Sequence, residues 1–257
     1  MGTRDGAIGR ATQFFDGGAF RDRLAELVAI PSTSQDPGHE PDVQRYLDTA
    51  IRPWLERMAF AVTIHPNPHP GYGPILTAER VEDAARPTIL TYGHGDTVRG
   101  LEDQWRSGLD PWRLTAEDDR WYGRGTADNK GQHSINLAAL RAVRDARGGQ
   151  LGFNAKFIVE MAEEIGSPDL NEVCRSFRDE LKADVLIASD GPRLAADRPT
   201  VFLGCRGGIR IDLDLTPGTD DHPPGRVSAS PCPGELFGYH SRRGRRCDPG
   251  ADRRYHE

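Results

Sequence analysis

The sequence lacks any apolar run approaching the roughly 18 residues that a membrane-spanning helix needs. Its first residues, MGTRDGAIGRATQFF, contain no apolar core of a secretory leader. Neither a membrane protein nor an exported one is expected, and the cytoplasm is the expected compartment. A basic excess is missing too: 33 Lys and Arg stand against 39 Asp and Glu, a net charge of −6. Nucleic-acid backbones demand a basic surface, so no nucleic-acid partner is expected, and the isolated Arg-rich run at 242–246 does not change that balance. Cysteine is scarce. Cys174, Cys205, Cys232 and Cys247 are widely spaced and form no C-x-x-C pair, which speaks against a zinc knuckle and against a disulfide scaffold. No internal repeat is visible.

What remains is an ordinary globular composition, 37% hydrophobic and 28% charged over 257 residues, enough for one large domain or one and a half. Helical spacing of Leu24, Leu27 and Val28 predicts a helix over 20–28. Val43, Tyr46, Leu47, Ile51, Trp54 and Leu55 predict another over 41–58, kinked or broken at Pro53. Short apolar runs at 61–64, 75–78, 88–92, 155–161, 185–189 and 201–203 read as strands, with helices at 131–145 and 171–181 between them. Strands alternating with helices point to an α/β fold, a sheet covered on both faces, whose ligands gather beyond the carboxyl ends of the strands.

The last 41 residues differ. From Pro217 onward they hold 6 Pro, 6 Gly and 7 Arg and few large apolar groups, a composition that cannot build a core and reads as irregular or disordered.

Four strand-end segments carry the candidate chemistry: Gly93-His94-Gly95-Asp96, Gly125-Thr126-Ala127-Asp128-Asn129-Lys130-Gly131, Ala162-Glu163-Glu164-Ile165-Gly166-Ser167 and Ala188-Ser189-Asp190-Gly191. Imidazole and carboxylate donors suit a borderline or hard divalent cation. His94 can offer one ring nitrogen to a metal while Asp96 accepts the N–H of the other, although H-x-D alone fits a surface loop equally well. Asp128 can bridge two cations or simply cap the following helix. Adjacent Glu163 and Glu164, in extended backbone, would point to opposite sides and so divide metal binding from proton transfer; a solvated acidic pair is the bland reading. Asp190 follows an apolar run expected to be a buried parallel strand, and can equally cap the next helix.

Taken together, in order and spacing, these segments resemble the dinuclear-metal amidohydrolases of peptidase family M20, the group of carnosinase-type dipeptidases, glutamate carboxypeptidases, aminoacylases, acetylornithine deacetylases and succinyl-diaminopimelate desuccinylases. The resemblance runs over about 20–215. It is supported by Leu27-Val28-Ala29-Ile30-Pro31-Ser32-Thr33-Ser34, Trp121-Tyr122-Gly123-Arg124-Gly125 and Gly204-Cys205-Arg206-Gly207-Gly208. It implies a zinc-peptidase-like α/β catalytic domain with a mixed, largely parallel sheet. It also implies His94 and Asp190 on one metal, Glu164 on the other, Asp128 bridging, Glu163 as general base and Asp96 holding the ligating His. The implied cofactors are two divalent ions, zinc first, with cobalt or manganese as alternatives. The implied substrate is a dipeptide or N-acyl amino acid, cleaved by metal-assisted amide hydrolysis. Gly95, Thr97 and Asn129 depart from the commoner residues, the last standing where a second Asp is frequent.

The same resemblance implies a longer chain. It implies an inserted α+β lid domain through which such proteins dimerise, and a later His that completes the second metal site. Here 1–208 reads as the N-terminal part of the catalytic domain, 209–216 as the first lid strand and 217–257 as the irregular tail. Asp221-His222 is similar to the start of the lid His motif, but Pro223-Pro224 follows. A truncated or frame-shifted chain is therefore expected, with an incomplete second site. The alternative function is a non-catalytic fragment that retains partial metal binding.

Overall fold

The computed structural model describes residues 2–168, 170–195, 197–202, 210–213 and 227–230. Two units emerge, Met1–Pro192 and Arg193–Glu257.

The first unit opens with α1 (Arg4–Asp16) and α2 (Ala19–Val28). Phe20, Leu24, Leu27 and Val28 of α2 are buried at the spacing of one helix face. The helix expected at 41–58 is three pieces in succession, α3 (Glu40–Arg45), a wider π-helical turn (Tyr46–Ile51) and α4 (Arg52–Arg57). The wide turn directly precedes Pro53, which has no N–H to give to a regular helix. Strands β1 (Ala61–His65), β2 (Ile75–Arg80) and β3 (Thr88–His94) follow, then a small hairpin of β4 (Thr115–Glu117) and β5 (Arg120–Tyr122). Helix α5 (Lys130–Ala146), strand β6 (Asn154–Glu160), helix α6 (Leu170–Ser176) and strand β7 (Val185–Ala188) complete the unit.

The five-stranded sheet has the order β1-β2-β6-β3-β7. It is mixed: β1–β2 and β2–β6 run antiparallel, β3–β6 and β3–β7 parallel. Alternation along β6 divides the core in two. Ala155, Phe157 and Val159 join Leu76 and Ala78 of β2 on the face covered by Leu27, Tyr46, Leu47, Ile51, Leu55 and Leu137. Ile158 and Ile75 pack on the other face against Val173 of α6, with Leu90, Tyr92 and Phe177 around them. The central strands are thus buried on both sides, as strands in α/β sheets are. β7 is not: Val185, Leu186 and Ile187 are exposed at the sheet edge, which corrects the expectation of a buried strand leading to Asp190.

Other expectations shift. α6 ends at Ser176 rather than 181, and Val201 and Phe202 are not in a strand, while Leu203 lies outside the described residues. Strand β8 (Arg210–Leu213) occupies the stretch read as the first lid strand. It pairs antiparallel with β9 (Val227–Ser230), which lies within the tail expected to be irregular. The Arg-rich run at 242–246, Asp221-His222, the 204–208 segment and Cys205, Cys232 and Cys247 lie outside the described residues.

Candidate metal centre

β3 and β6 run parallel and end in register at His94 and Glu160, so the loops beyond them leave the sheet side by side. Gly93 and Gly95 allow close packing there. A Cβ on Gly93 would sit 2.5 Å from the His133 Cβ, and one on Gly95 would overlap the Tyr46 ring. Tyr46 thus fills the space that a larger residue at 95 would take.

His94 is fully buried. Its Nδ1 lies 3.1 Å from the Asp96 carbonyl and 3.3 Å from Asp96 Oδ1, so this nitrogen carries the proton and Nε2 is turned outward. Around Nε2 stand Asp128 Oδ1 at 2.9 Å and Glu163 Oε2 and Asp190 Oδ1, each at 3.8 Å. Asp128 is not the helix cap: Asn129 holds that position in α5 and makes no side-chain capping bond.

Asp96 does more than hold an imidazole. The carboxylate accepts the Ser34 hydroxyl at 2.6 Å and the backbone N–H groups of Glu163 and Glu164 at 3.2 and 3.1 Å. One buried carboxylate therefore fixes the ring of His94 and the loop bearing both glutamates. That loop is a 3-10 turn, Glu163–Ile165, closed by Gly166 at φ 94°, not extended backbone. Both glutamates accordingly reach one place. Ligand atoms of His94, Glu163 and Glu164 lie within 4.8 Å of one another, as do those of His94, Asp128 and Asp190.

The supporting segments find their purpose here. Ser32 Oγ donates to the Gly95 carbonyl at 2.6 Å, and Thr97 N–H donates back to Ser32 at 3.0 Å. Fully buried Lys130 donates from Nζ to the Leu27 and Ile30 carbonyls at 3.0 and 2.6 Å. The 27–34 segment is thereby tied to the His94 loop and to α5. Gly125 takes φ 82° in the turn before Asp128, and the Asp128–Asn129 peptide is cis.

Electrostatics reflect an excess of carboxylates. Burial opposes the charging of His94, but hydrogen bonds to Asp128 and Asp96 and the charges of Asp96 and Asp190 outweigh it and push its pKa up to about 11. Asp128 is held below its usual range chiefly by the His94 hydrogen bond. Burial, helped by neighbouring carboxylates, pushes Glu163 and Glu164 up to about 7 and raises Asp190. Burial also pushes Lys130 down to about 7 and, with His94 and Lys130 as nearby cations, His133 down to about 3. One imidazole ringed by carboxylate oxygens calls for further positive charge, and this N/O donor set fits zinc, manganese or cobalt.

The sequence model of peptidase family M20/M25/M40 matches residues 90–236, more than half of the chain. The chain belongs to this family. Among the relatives of this M20 chain, the cysteinylglycine-S-conjugate dipeptidase of Corynebacterium striatum is 35% identical over 199 residues, 76% of this chain and 42% of its own length. The β-Ala-His dipeptidase of Rattus norvegicus is 36% identical over 147 residues, 55% of this chain and 29% of its own. Human carnosine dipeptidase 1 superposes with a TM-score of 0.67 at 30% identity, over 81% of this chain and 46% of that one. The dipeptidase Dug1p of Saccharomyces cerevisiae reaches 0.71 over 80% and 45%; at 23% identity it shows the fold alone. The chain spans less than half the length of these relatives. M20 membership implies a divalent metal, and among the described residues no helix is long and apolar enough to cross a membrane.

Sequence reasoning singled out His94, Asp96, Asp128, Glu163, Glu164 and Asp190, and the fold brings all six together. It gave no place at the site to Tyr46, Gln132, His133 or Asn136, named Ser34 only within a supporting segment, and noted Asn129 only as a departure.

Proposed function

We propose that this chain carries the hydrolytic centre of a zinc-dependent dipeptidase or N-acyl amino acid deacylase, with 1–208 as the N-terminal part of its catalytic domain. The observation that carries the reading is the outward-turned Nε2 of His94 amid Asp128, Glu163 and Asp190 at 2.9 to 3.8 Å. His94, Asp128 and Asp190 would hold one cation. Asp128 and Glu164 would serve a second; in support, Asp128 is the charge that contributes most to raising Glu164, after burial. Among the described residues the second place has two ligands, so one ion is held more tightly than the other.

A cation so held supplies Lewis-acid activation of water and of the scissile carbonyl. Glu163, with its pKa near 7, takes a proton from the attacking water and passes it to the leaving nitrogen as the C–N bond breaks, giving a carboxylic acid fragment and an amine. Asp96 keeps His94 in the tautomer that presents Nε2. Cys174 is a free thiol, in keeping with the cytoplasm as the compartment we infer.

The test is metal analysis of the dialysed chain together with hydrolysis of Cys-Gly, β-Ala-His and N-acetyl amino acids under zinc, cobalt and manganese. One tightly retained ion with slow turnover is expected. An ion retained without turnover of any substrate favours a metal-holding chain without catalysis, and no retained ion overturns the centre.

A further inference from the structure

Asp190 leaves the sheet from the exposed strand β7, which among the described residues pairs with β3 alone. Such a strand gives its following loop little backbone support, yet three carboxamides of the neighbouring helix bond that loop residue by residue. Asn129 Nδ2 donates to the Ser189 carbonyl at 2.6 Å and to Asp190 Oδ1 at 3.2 Å. Gln132 accepts the Gly191 N–H and donates to the Gly191 carbonyl, both at 3.2 Å. Asn136 exchanges hydrogen bonds with the Ser189 hydroxyl at 2.9 and 3.1 Å. Positions 129, 132 and 136 are spaced by three and four, which puts them on one face at the start of α5.

The orientation of the Asn129 amide follows from its neighbours. Its Nδ2 meets only acceptors, the third being Gln132 Oε1 at 3.3 Å. Its Oδ1 meets the His94 backbone N–H at 3.3 Å and His133 Nδ1 at 3.1 Å. His133 donates from Nδ1, which leaves Nε2 to accept the Tyr46 hydroxyl at 2.8 Å. The amide supplies two N–H donors to the Nδ2 side, where an aspartate could supply one, and only when protonated.

We propose that Asn129, Gln132 and Asn136 are positioning residues that clamp the Ser189-Asp190-Gly191 segment to α5 and so hold the Asp190 carboxylate beside His94. The inference rests on the reading of His94 and Asp190 as metal ligands, and it extends that reading to residues that touch no metal. Outer partners of metal ligands typically contribute about 10- to 100-fold to metal affinity.

The test uses the full chain with cobalt as the probe. Gln132→Met and Asn136→Leu should each raise the cobalt dissociation constant by about 10- to 100-fold and alter the visible cobalt spectrum, with the thermal midpoint of the metal-free protein unchanged in Gln132→Met. Gln132 and Asn136 are both only half-buried, so neither substitution opens the core. Hydrogen exchange of 186–192 in metal-free Gln132→Met should speed up at the Gly191 amide. Unchanged exchange overturns the clamp, and so does unchanged cobalt affinity where the parent chain binds cobalt. A parent chain that binds no cobalt instead removes the ligand reading, while the exchange measurement still decides the clamp.

Discussion

The two sides of the metal centre are built differently. His94, Asp96 and the two glutamates sit at the ends of β3 and β6, strands packed on both faces, and a single buried carboxylate, Asp96, gathers the ring, the Ser34 hydroxyl and two backbone N–H groups. Asp190 sits beyond β7, whose Val185, Leu186 and Ile187 are 49, 62 and 45% exposed. Where the sheet is thick, backbone and core place the donors. At the edge, side chains from α5 take over. The contrast follows from hydrogen-bond supply: an edge strand leaves one row of backbone groups without a strand partner, so the loop after it relies on carboxamides, which both donate and accept.

The largest expected effect lies on the core-built side and concerns chemistry alone. Glu163→Gln keeps shape and size but cannot take up a proton, so turnover of the best dipeptide should fall by about 10²- to 10⁴-fold. Metal content should stay at the parent value, because His94, Asp128 and Asp190 are untouched. Loss of bound metal along with turnover would mean that Glu163 is itself a ligand and would erase the division of labour within the glutamate pair.

How far this was legible in the sequence depends on whether a signal is local. Apolar runs gave β1, β2, β3, β6 and β7 within a few residues, because a strand's identity lies in its own composition. Helix α1 escaped, since it buries no residue and so shows no clean apolar stripe. The β4–β5 hairpin, two strands of three residues each, is too short to show an alternation. The six candidate residues could be singled out because each lies at the end of an apolar run or a glycine turn, while the roles proposed for them rest on the resemblance to family M20. Their supports were not: Tyr46 reaches His133 across 87 positions, Ser34 reaches Asp96 across 62 and Asn136 reaches Ser189 across 53, and no spacing rule covers such contacts. The glutamate pair was read on the wrong backbone, because a 3-10 turn rather than a strand lets both side chains face His94.

The second effect sharpens the same contrast in stability. Leu137 is fully buried in the main core and Leu186 is 62% exposed on β7. Leu137→Ala should cost about 2–5 kcal/mol, whereas Leu186→Ala should stay within about 0.5 kcal/mol, both from urea midpoints at constant slope. Comparable losses at the two positions would show that β7 is covered in solution and that the edge is not an edge.

The smallest effect is farthest from the centre, at the antiparallel end of the sheet. Glu82 Oε1 accepts the Leu151 N–H at 2.6 Å and Arg80 at 2.8 Å, and Oε2 accepts the Gly152 N–H at 2.8 Å and Arg86 at 3.2 Å. Burial pulls its pKa upward, but the two N–H bonds and Arg80 prevail and set it below the ordinary 4.5. A carboxyl depressed on folding stabilises the native state in full above its unfolded pKa, and that stability is lost as the pH falls through the folded value. Glu82→Gln removes the charge and should cost about 1.5–3 kcal/mol at pH 7, the scale of a hydrogen bond to a charged group. Urea midpoints of parent and variant should therefore differ by a constant amount from pH 7 down to about 5 and converge below the ordinary carboxyl range near 4. A gap that persists unchanged into acid would assign the loss to the poorer hydrogen bonding of the neutral amide with the Leu151 and Gly152 N–H groups rather than to the charge, and would leave the far end of the sheet without its anchoring ion.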